Sequence, residues 1–411
     1  MKVLMLGWEL PPHNSGGLGV ACYQLGEALS ERDDIDLEFV LPYKLDADID
    51  FMKVTAATTL EPEIVMAGLG AYDSQAYEPT EAEDGAEVPT ERYDIYSQTT
   101  MFEQAVAKLA PKFDFDIVHA HDWLTFRAAL RLKEHTGRPI VLHIHALESD
   151  RAGGNRGNQF VHDVEAEALA QADQVVAVSA FTKTAICREY GISPNKITVI
   201  HNSLNWQQME PVDPGNSYYY LEQMKSLGWR VVVNMGRLTT QKGLTNLMRA
   251  AVQVLRRAPK TMFLIVGSGE QYHELAQMGA DLGIGQNVLF APFQRGKRWR
   301  DAFAVADLFV MPSVSEPFGL TPLEATVYGA PSLITYQSGV SEVLENSLKV
   351  DFWDIDKMAD LIVHALEHDT LRGELVERAR QELYAQSWRR SADQFAELYR
   401  RLLSRRVAAA V

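Results

Sequence analysis

Arg230-Val231-Val232-Val233-Asn234-Met235-Gly236-Arg237-Leu238-Thr239-Thr240-Gln241-Lys242-Gly243 is the stretch that decides the fold. Its first six residues do not alternate between polar and apolar, which predicts a strand covered on both faces. A glycine-flanked turn then opens a helix. Leu244, Leu247, Met248, Ala251, Val252 and Leu255 recur at i, i+3, i+4, i+7, i+8 and i+11, one face of an amphipathic helix. A buried strand feeding such a helix is the repeating unit of a parallel, doubly wound sheet.

The same unit recurs in both directions. Upstream, strands are predicted at Lys2–Leu10, Asp36–Tyr43, Asp116–His121, Pro139–Ala146, Gln174–Ser179 and Ile197–His201. Downstream they fall at Met262–Gly267, Asn287–Pro292, Asp307–Pro312 and Ser332–Tyr336. One sheet with all of these would be long. The pattern also breaks at Asn202–Gly228, around Pro211-Val212-Asp213-Pro214-Gly215-Asn216-Ser217. The expectation is therefore an α/β protein of two Rossmann-like domains joined there by a hinge linker.

The chain has 411 residues, enough for two or three domains, with 46% hydrophobic and 23% charged residues. Its net charge of −16 repels phosphate backbones and anionic lipid, so duplex nucleic acid is not expected as a partner. Two cysteines, Cys22 and Cys187, exclude a disulfide framework and fit a reducing compartment. No apolar run reaches the roughly 18 residues needed to span a bilayer, so no stable membrane insertion is expected. Met1–Gly7 reads as a first strand rather than a signal peptide. The expected location is the cytoplasm. Asp73–Asp94 carries eight acidic residues against Arg92, with Pro79, Gly85 and Pro89, and predicts a long exposed loop. It reads either as a solubilising insertion or as a lid over an acceptor. The last helix, from Ser387-Trp388, bears six arginines, Arg389, Arg390, Arg400, Arg401, Arg405 and Arg406. They are expected on a solvated face rather than a membrane surface.

Ligands of doubly wound sheets bind beyond the carboxyl ends of the strands, which directs attention to those loops. Gly16-Gly17-Leu18-Gly19 precedes a helix, where backbone N–H groups can approach an anion. Neither it nor Gly267-Ser268-Gly269, with Tyr272 in the place of a third glycine, completes a dinucleotide fingerprint. Hydride transfer is therefore disfavoured. Arg237 and Lys242 put two fixed cations, five residues apart, at a strand end beside a helix N-terminus, a device for a diphosphate. Glu316 lies in a loop and Glu324, eight residues on, in the helix that Pro322 helps to start. Two carboxylates can accept hydrogen bonds from two sets of hydroxyls. Cations and carboxylates together match a sugar nucleotide.

The sequence resembles the retaining glycosyltransferases of family 4, with the two-domain GT-B fold, and among them the bacterial glycogen/starch-synthase-like members. The resemblance rests on five motifs in order: Gly16-Gly17-Leu18-Gly19; His119-Ala120-His121-Asp122-Trp123; His143-Ile144-His145-Ala146-Leu147-Glu148; Gly236-Arg237-Leu238 with Lys242-Gly243; and Glu316 separated by seven residues from Glu324. It implies two Rossmann-like domains facing a central cleft. Residues 1–203, with the terminal helix 387–411 crossing back onto them, would bind the acceptor, and residues 204–386 the donor. Arg237 and Lys242 would clamp the donor diphosphate, with Gly236 in the same loop. Glu324 would bind the ribose and Glu316 the donor sugar. The backbone N–H groups of Phe318, Gly319, Leu320 and Thr321 would contact sugar or phosphate. Gly16 and Gly17 would close onto the diphosphate, and His145 would sit by the sugar with its carbonyl towards the reacting carbon. Asp122 would lie on the acceptor side. The activity implied is hexosyl transfer, with retention, from a UDP- or ADP-sugar such as UDP-glucose or ADP-glucose to a carbohydrate acceptor such as an α-glucan. No cofactor is implied. One departure stands out. ADP-glucose-type glycogen synthases carry a Lys two residues before the Gly-Gly pair, where this chain has Asn14.

Other readings attach to the same residues. The two His-x-His pairs also suit metal ligation, but the resemblance implies no metal and carboxylates do not cluster nearby. Trp123 and Trp388 are expected to pack rather than to carry sugars. A lipid or protein acceptor, a sugar-nucleotide epimerase and a non-catalytic glucan-binding protein are the competing functions.

Overall fold

A computed structural model describes residues 1–13, 17–66 and 94–409, the side chains of 406–409 excepted. The chain divides into two compact units, residues 1–148, 156–203 and 388–411, and residues 149–155 and 204–387.

The N-terminal unit is built on seven strands: β1 (Lys2–Leu6), β2 (Asp36–Tyr43), β3 (Lys53–Leu60), β4 (Ile117–His121), β5 (Ile140–Ile144), β6 (Gln174–Ala177) and β7 (Ile197–Val199). They are all parallel, in the order β3-β2-β1-β4-β5-β6-β7. The second unit repeats the plan with β8 (Arg230–Met235), β9 (Thr261–Val266), β10 (Val288–Ala291), β11 (Leu308–Met311), β12 (Ser332–Thr335) and β13 (Leu348–Val350), in the order β10-β9-β8-β11-β12-β13. Each order reverses direction once, between β1 and β4 and between β8 and β11. Those reversals are the topological switch points at which doubly wound sheets bind ligands.

Strands β1, β4, β5, β6, β8 and β9 are buried along nearly their whole length, as a sheet covered by helices on both faces requires. The helix Leu244–Arg257 buries Leu244, Leu247, Met248, Ala250, Ala251 and Val254, with Val252 and Leu255 at the margin of the same core. Two strands were not legible in the sequence. β3 and β13 are edge strands; β3 is mostly half-exposed and rich in Thr and Ala, and β13 has three residues. Neither needs the long apolar run that marks a central strand.

Asn202–Gly228 is not a loose linker. Asn216 Nδ2 donates to the Asp301 carbonyl at 2.9 Å, and Ser217 donates to the fully buried Asp301 carboxylate from both its backbone N–H (2.7 Å) and its hydroxyl (2.6 Å). Arg300 holds Glu210 and Asp213. A helix then runs over Tyr219–Ser226. The turn-forming composition is real, but tertiary hydrogen bonds hold the stretch against the second unit.

The terminal helix, Trp388–Ala409, completes the N-terminal unit and packs on the helix Gly17–Ser30. Trp388 Nε1 donates to Gln24 Oε1 at 2.6 Å, and Phe395 and Tyr399 enter the core. Arg400 pairs with Asp34, and Asp393 with Arg32, while Arg389, Arg390, Arg401 and Arg405 face solvent. The acidic stretch 73–93 lies outside the described residues. Its last acid, Asp94, caps the helix Ile95–Leu109 by accepting from Ser97 N at 2.9 Å. Among the described residues no helix is long and apolar enough to cross a membrane.

Tyr399 is the terminal helix's polar anchor, because its hydroxyl meets His119 Nδ1 at 2.7 Å inside the core. Tyr399→Phe removes that bond and leaves a buried ring nitrogen without its partner, a loss of about 1–3 kcal/mol. A lower melting temperature is the expected result; an unchanged one means the contact carries no stability.

Candidate active site

In the second unit the chain leaves β8 at Gly236 and turns back under the end of β11. The turn needs glycines because backbones touch. A Cβ on Gly243, where φ is +63°, would lie 2.1 Å from the Pro312 carbonyl oxygen. A Cβ on Gly267 would lie 1.8 Å from the Gly236 carbonyl oxygen. The Gly267-Ser268-Gly269 run therefore serves the same turn: Leu238 N donates to the Ser268 carbonyl at 2.9 Å.

That close approach joins the two motifs. Lys242 Nζ and Glu316 Oε2 pair at 2.5 Å, with the Glu316 side chain 11% exposed. Ser313 Oγ donates to the same carboxylate oxygen at 3.1 Å. Glu316 is held by its backbone as well, donating to the Gln337 carbonyl and accepting from Gly339 N, both at 2.9 Å. Arg237 Nη2 reaches Gln241 Oε1 at 3.4 Å, and Gln241 Nε2 donates to the Ser315 carbonyl at 3.0 Å. Gln241 is one residue that sequence reasoning missed. Lying inside the Arg237–Lys242 motif, the buried amide ties the arginine loop to the glutamate loop. Ser315 Oγ in turn donates to buried Asp150 at 2.5 Å, within the short segment 149–155 that belongs to this unit.

Beyond Glu316 the chain runs through buried Phe318 to Gly319, whose φ of +93° and 3.0 Å Cβ approach to Glu316 Cγ favour glycine. Leu320 and Thr321 follow, and the helix Thr321–Val327 carries Glu324 in its first turn. Burial pushes the Glu324 carboxyl up to about 7. The structure thus brings Lys242 to Glu316 directly and Arg237 to them through Gln241; Glu324 lies one element further on.

In the N-terminal unit the described site residues are Gly17, Asp122 and His145; Gly16 and Asn14 lie outside the described residues. Gly17 is exposed and opens its helix. Gly19 N donates to Glu9 Oε1 at 3.0 Å, so a buried carboxylate already serves this helix N-terminus. Sequence reasoning passed over Glu9. Near the end of β4, His121 is in register with His143 of β5 and His119 with Val141. His119 Nε2 meets His143 Nδ1 at 3.2 Å, and His121 Nδ1 meets His145 Nε2 at 3.0 Å. Burial pulls His119 down to about 3 and holds His121 and His143 well below the usual imidazole range, so these three rings stay neutral. Asp122 Oδ1 accepts from the backbone N–H of His145 at 2.7 Å and of Ala146 at 3.3 Å. Glu148 Oε1 accepts from Asn158 N at 2.8 Å. Trp123 and Trp388 are buried. Two groups, Cys22–His121–His145 and His119–His121–His143, hold donor atoms within 4.8 Å of one another, close enough to share a soft or borderline metal ion.

Paired Rossmann units, with two cations and a carboxylate at the switch point of the second, form a place for an anionic ligand. Comparison with known proteins supplies the class, glycosyltransferases that use a nucleotide-sugar donor. Residues 222–382 match the family model "Glycosyl transferases group 1", and residues 60–207 match "Glycosyltransferase Family 4". An uncharacterized glycosyltransferase of Methanocaldococcus jannaschii, MJ1607, is 27% identical over 97% of this chain and 98% of its own length. A D-inositol 3-phosphate glycosyltransferase of Rhodococcus erythropolis is 26% identical over 94% and 87%. A glycogen synthase of Mycobacterium tuberculosis is 26% identical over 84% and 80%. Among solved structures, sucrose-phosphate synthase from Thermosynechococcus elongatus superposes with a TM-score of 0.73 at 19% identity, covering 98% and 99% of the two chains. Anabaena Alr3699/HepE in complex with UDP-glucose does so with a TM-score of 0.68 at 21% identity, covering 97% and 99%. The chain belongs to the family 4-type glycosyltransferases of the GT-B fold.

Glu324 gives a test of the site's electrostatics. The unfolded carboxyl ionises near 4.5 and the folded one near 7. Between those values only the unfolded state gives up its proton, so stability falls as the pH rises from about 4.5 to about 7. Glu324→Gln is expected to raise the melting temperature above pH 7 relative to the parent and to lose that advantage at pH 4.5. A difference that does not vary with pH means the carboxyl is not held in its acid form.

Proposed function

We propose that this protein transfers a glucosyl unit, with retention of anomeric configuration, from UDP- or ADP-glucose to a carbohydrate acceptor such as an α-glucan. The observation that carries this reading is the Lys242–Glu316 pair, joined to Arg237 through Gln241 at the β8/β11 switch point. A cation pair beside a hydroxyl-binding carboxylate fits a diphosphate with a sugar attached. The relatives add weight: one is named a glycogen synthase, and one neighbour was solved with UDP-glucose.

In this reading Arg237 and Lys242 hold the two phosphates. As the bond from the anomeric carbon to the phosphate oxygen breaks, negative charge gathers on the leaving diphosphate, and fixed cations stabilise it without reorganising. Glu316 accepts hydrogen bonds from the sugar hydroxyls. Glu324 does so from the ribose. Backbone N–H groups from Phe318 to Thr321 contact sugar or phosphate. The N-terminal unit takes the acceptor; His145 is assigned to the transferred sugar, with Asp122 on the same strand ends. The acceptor oxygen bonds to the anomeric carbon on the face the diphosphate leaves, and a departing phosphate oxygen takes the acceptor proton. Glu148, the nearest carboxylate in sequence to His145, already accepts from Asn158 N and is given no part in a covalent intermediate.

Lys242 and Glu316 stabilise each other before any ligand binds, so Lys242→Ala strands a nearly buried carboxylate. The double variant Lys242→Ala with Glu316→Gln separates folding from function. It is expected to recover the melting temperature that Lys242→Ala loses and none of the turnover. Arg237→Ala is expected to keep its fold and lose about 10²–10³ in turnover, the usual effect of removing one preorganised charge stabiliser. A near wild-type rate in Arg237→Ala defeats the diphosphate assignment.

The donor is identified by melting the protein against a panel of UDP-, ADP- and GDP-sugars. A ligand at 100 times its Kd adds about 2.7 kcal/mol to the stability of the state that binds it. UDP- or ADP-glucose is expected to give the largest rise. A panel with no shift for any sugar nucleotide overturns the proposed function.

A further inference from the structure

Asp122 is the one non-glycine with positive φ among the described residues. Its φ of 56° and ψ of 170° fall in a region that is close to glycine-only. Strain of about 1–3 kcal/mol persists where surrounding contacts over-determine the backbone, and contacts of Asp122 tie it to the His143–Ala146 segment. The Asp122 N–H donates to the His143 carbonyl at 3.0 Å, stitching the end of β4 to the end of β5. The side chain then turns across and accepts from the backbone N–H groups of His145 and Ala146. Thr125 locks the turn from below, its hydroxyl reaching the carbonyls of His121 at 2.9 Å and Asp122 at 3.1 Å.

The ring of His145 is met from the preceding residue. His121 is fully buried, and its Nδ1 stands 3.0 Å from His145 Nε2. Its own Nε2 is buried with no hydrogen-bond partner. A buried polar atom left unsatisfied costs free energy, so packing alone does not account for a histidine at this position. A Leu or Phe would fill the space without that loss. The ring has little freedom to turn, with His119 at 4.4 Å and the Phe39 ring stacked at 6.4 Å, centroid to centroid.

We propose that His121 and Asp122, consecutive at the end of β4, are positioning residues for His145: Asp122 fixes its backbone and His121 fixes its ring. Asp122 thus acts through His145 and not only as part of an acceptor surface. This rests on the assignment of His145 to the transferred sugar. The two residues are adjacent in sequence yet reach the two ends of one target, because the strained turn at Asp122 sends its side chain back along the strand edge while His121 still points from the sheet.

The test is steady-state transfer with the donor that the melting panel identifies, on the full-length chain. Asp122→Ala and His121→Phe are each expected to lower kcat by about 10–10²-fold, the scale on which a small misplacement of a catalytic group acts, while donor KM stays within about twofold. Asp122→Asn keeps an acceptor oxygen and is expected to recover most of the loss; His121→Asn keeps a polar atom near the Nδ1 position and should do the same. Asp122→Gly removes the backbone strain together with the acceptor. It is expected to keep the melting temperature and still lose kcat, which separates positioning from folding. His145→Ala is the reference. If it turns over normally, the assignment of His145 itself fails. If it is inactive while Asp122→Gly and His121→Phe keep their kcat, the assignment of His145 stands and the positioning roles are wrong. Equal losses in Asp122→Ala and Asp122→Asn also overturn the Asp122 role.

Discussion

Lys242 and Glu316 lie 74 positions apart in sequence and meet at 2.5 Å, both side chains mostly withdrawn from water. Such a pair is a weak source of stability, because removing two charges from water offsets most of their attraction. What it does is constrain. The pairing holds only if the turn after β8 passes beneath the end of β11, and that passage holds only if Gly243 leaves room for the Pro312 carbonyl. Gln241, Ser313 and the backbone of Gln337–Gly339 fix the partners from the remaining sides. In the proposed function, a cation kept in place by a carboxylate meets a diphosphate without rearranging, which is what electrostatic stabilisation of a leaving group requires.

The N-terminal unit solves a different problem by the opposite means. Its strand ends carry four histidines, of which His119, His121 and His143 are buried and held neutral. Neutral rings can bond one another, a protonated nitrogen of one donating to a bare nitrogen of the next. These contacts run from Tyr399 to His119 and His143, and in parallel from His121 to His145. The terminal helix is therefore part of the support for the strand ends, even though Tyr399 lies 280 positions from His119 in sequence. The neutrality of these rings and the raised Glu324 carboxyl follow from the same rule: burial without a charged partner suppresses ionisation.

Most of the central strands were legible because a sheet covered on both faces demands apolar runs, and most helices because an amphipathic face has a period. The edge strands β3 and β13 escaped because an edge is only half-covered and tolerates Thr, Ala and Lys. The Asn202–Gly228 stretch read as a linker because turn residues mark irregular backbone, and composition does not say whether that backbone is tied down. Arg300 and Asp301, which tie it, lie about 85 to 90 positions downstream. Glu9 and Gln241 escaped for a related reason: each is an ordinary polar residue whose importance lies in a partner set by folding.

The sequence by itself determined the two-fold repetition of strand and helix, the positions of most strand ends, and the residue types present there, since these follow from periodicity and local chemistry. Only the tertiary structure decided which of those groups meet. It set Lys242 against Glu316, routed Arg237 through Gln241, raised the Glu324 carboxyl, and turned Asp122 onto the backbone of His145. The reason is physical: short-range order fixes what a segment becomes, while distance, burial and pairing belong to the packing of segments far apart in the chain.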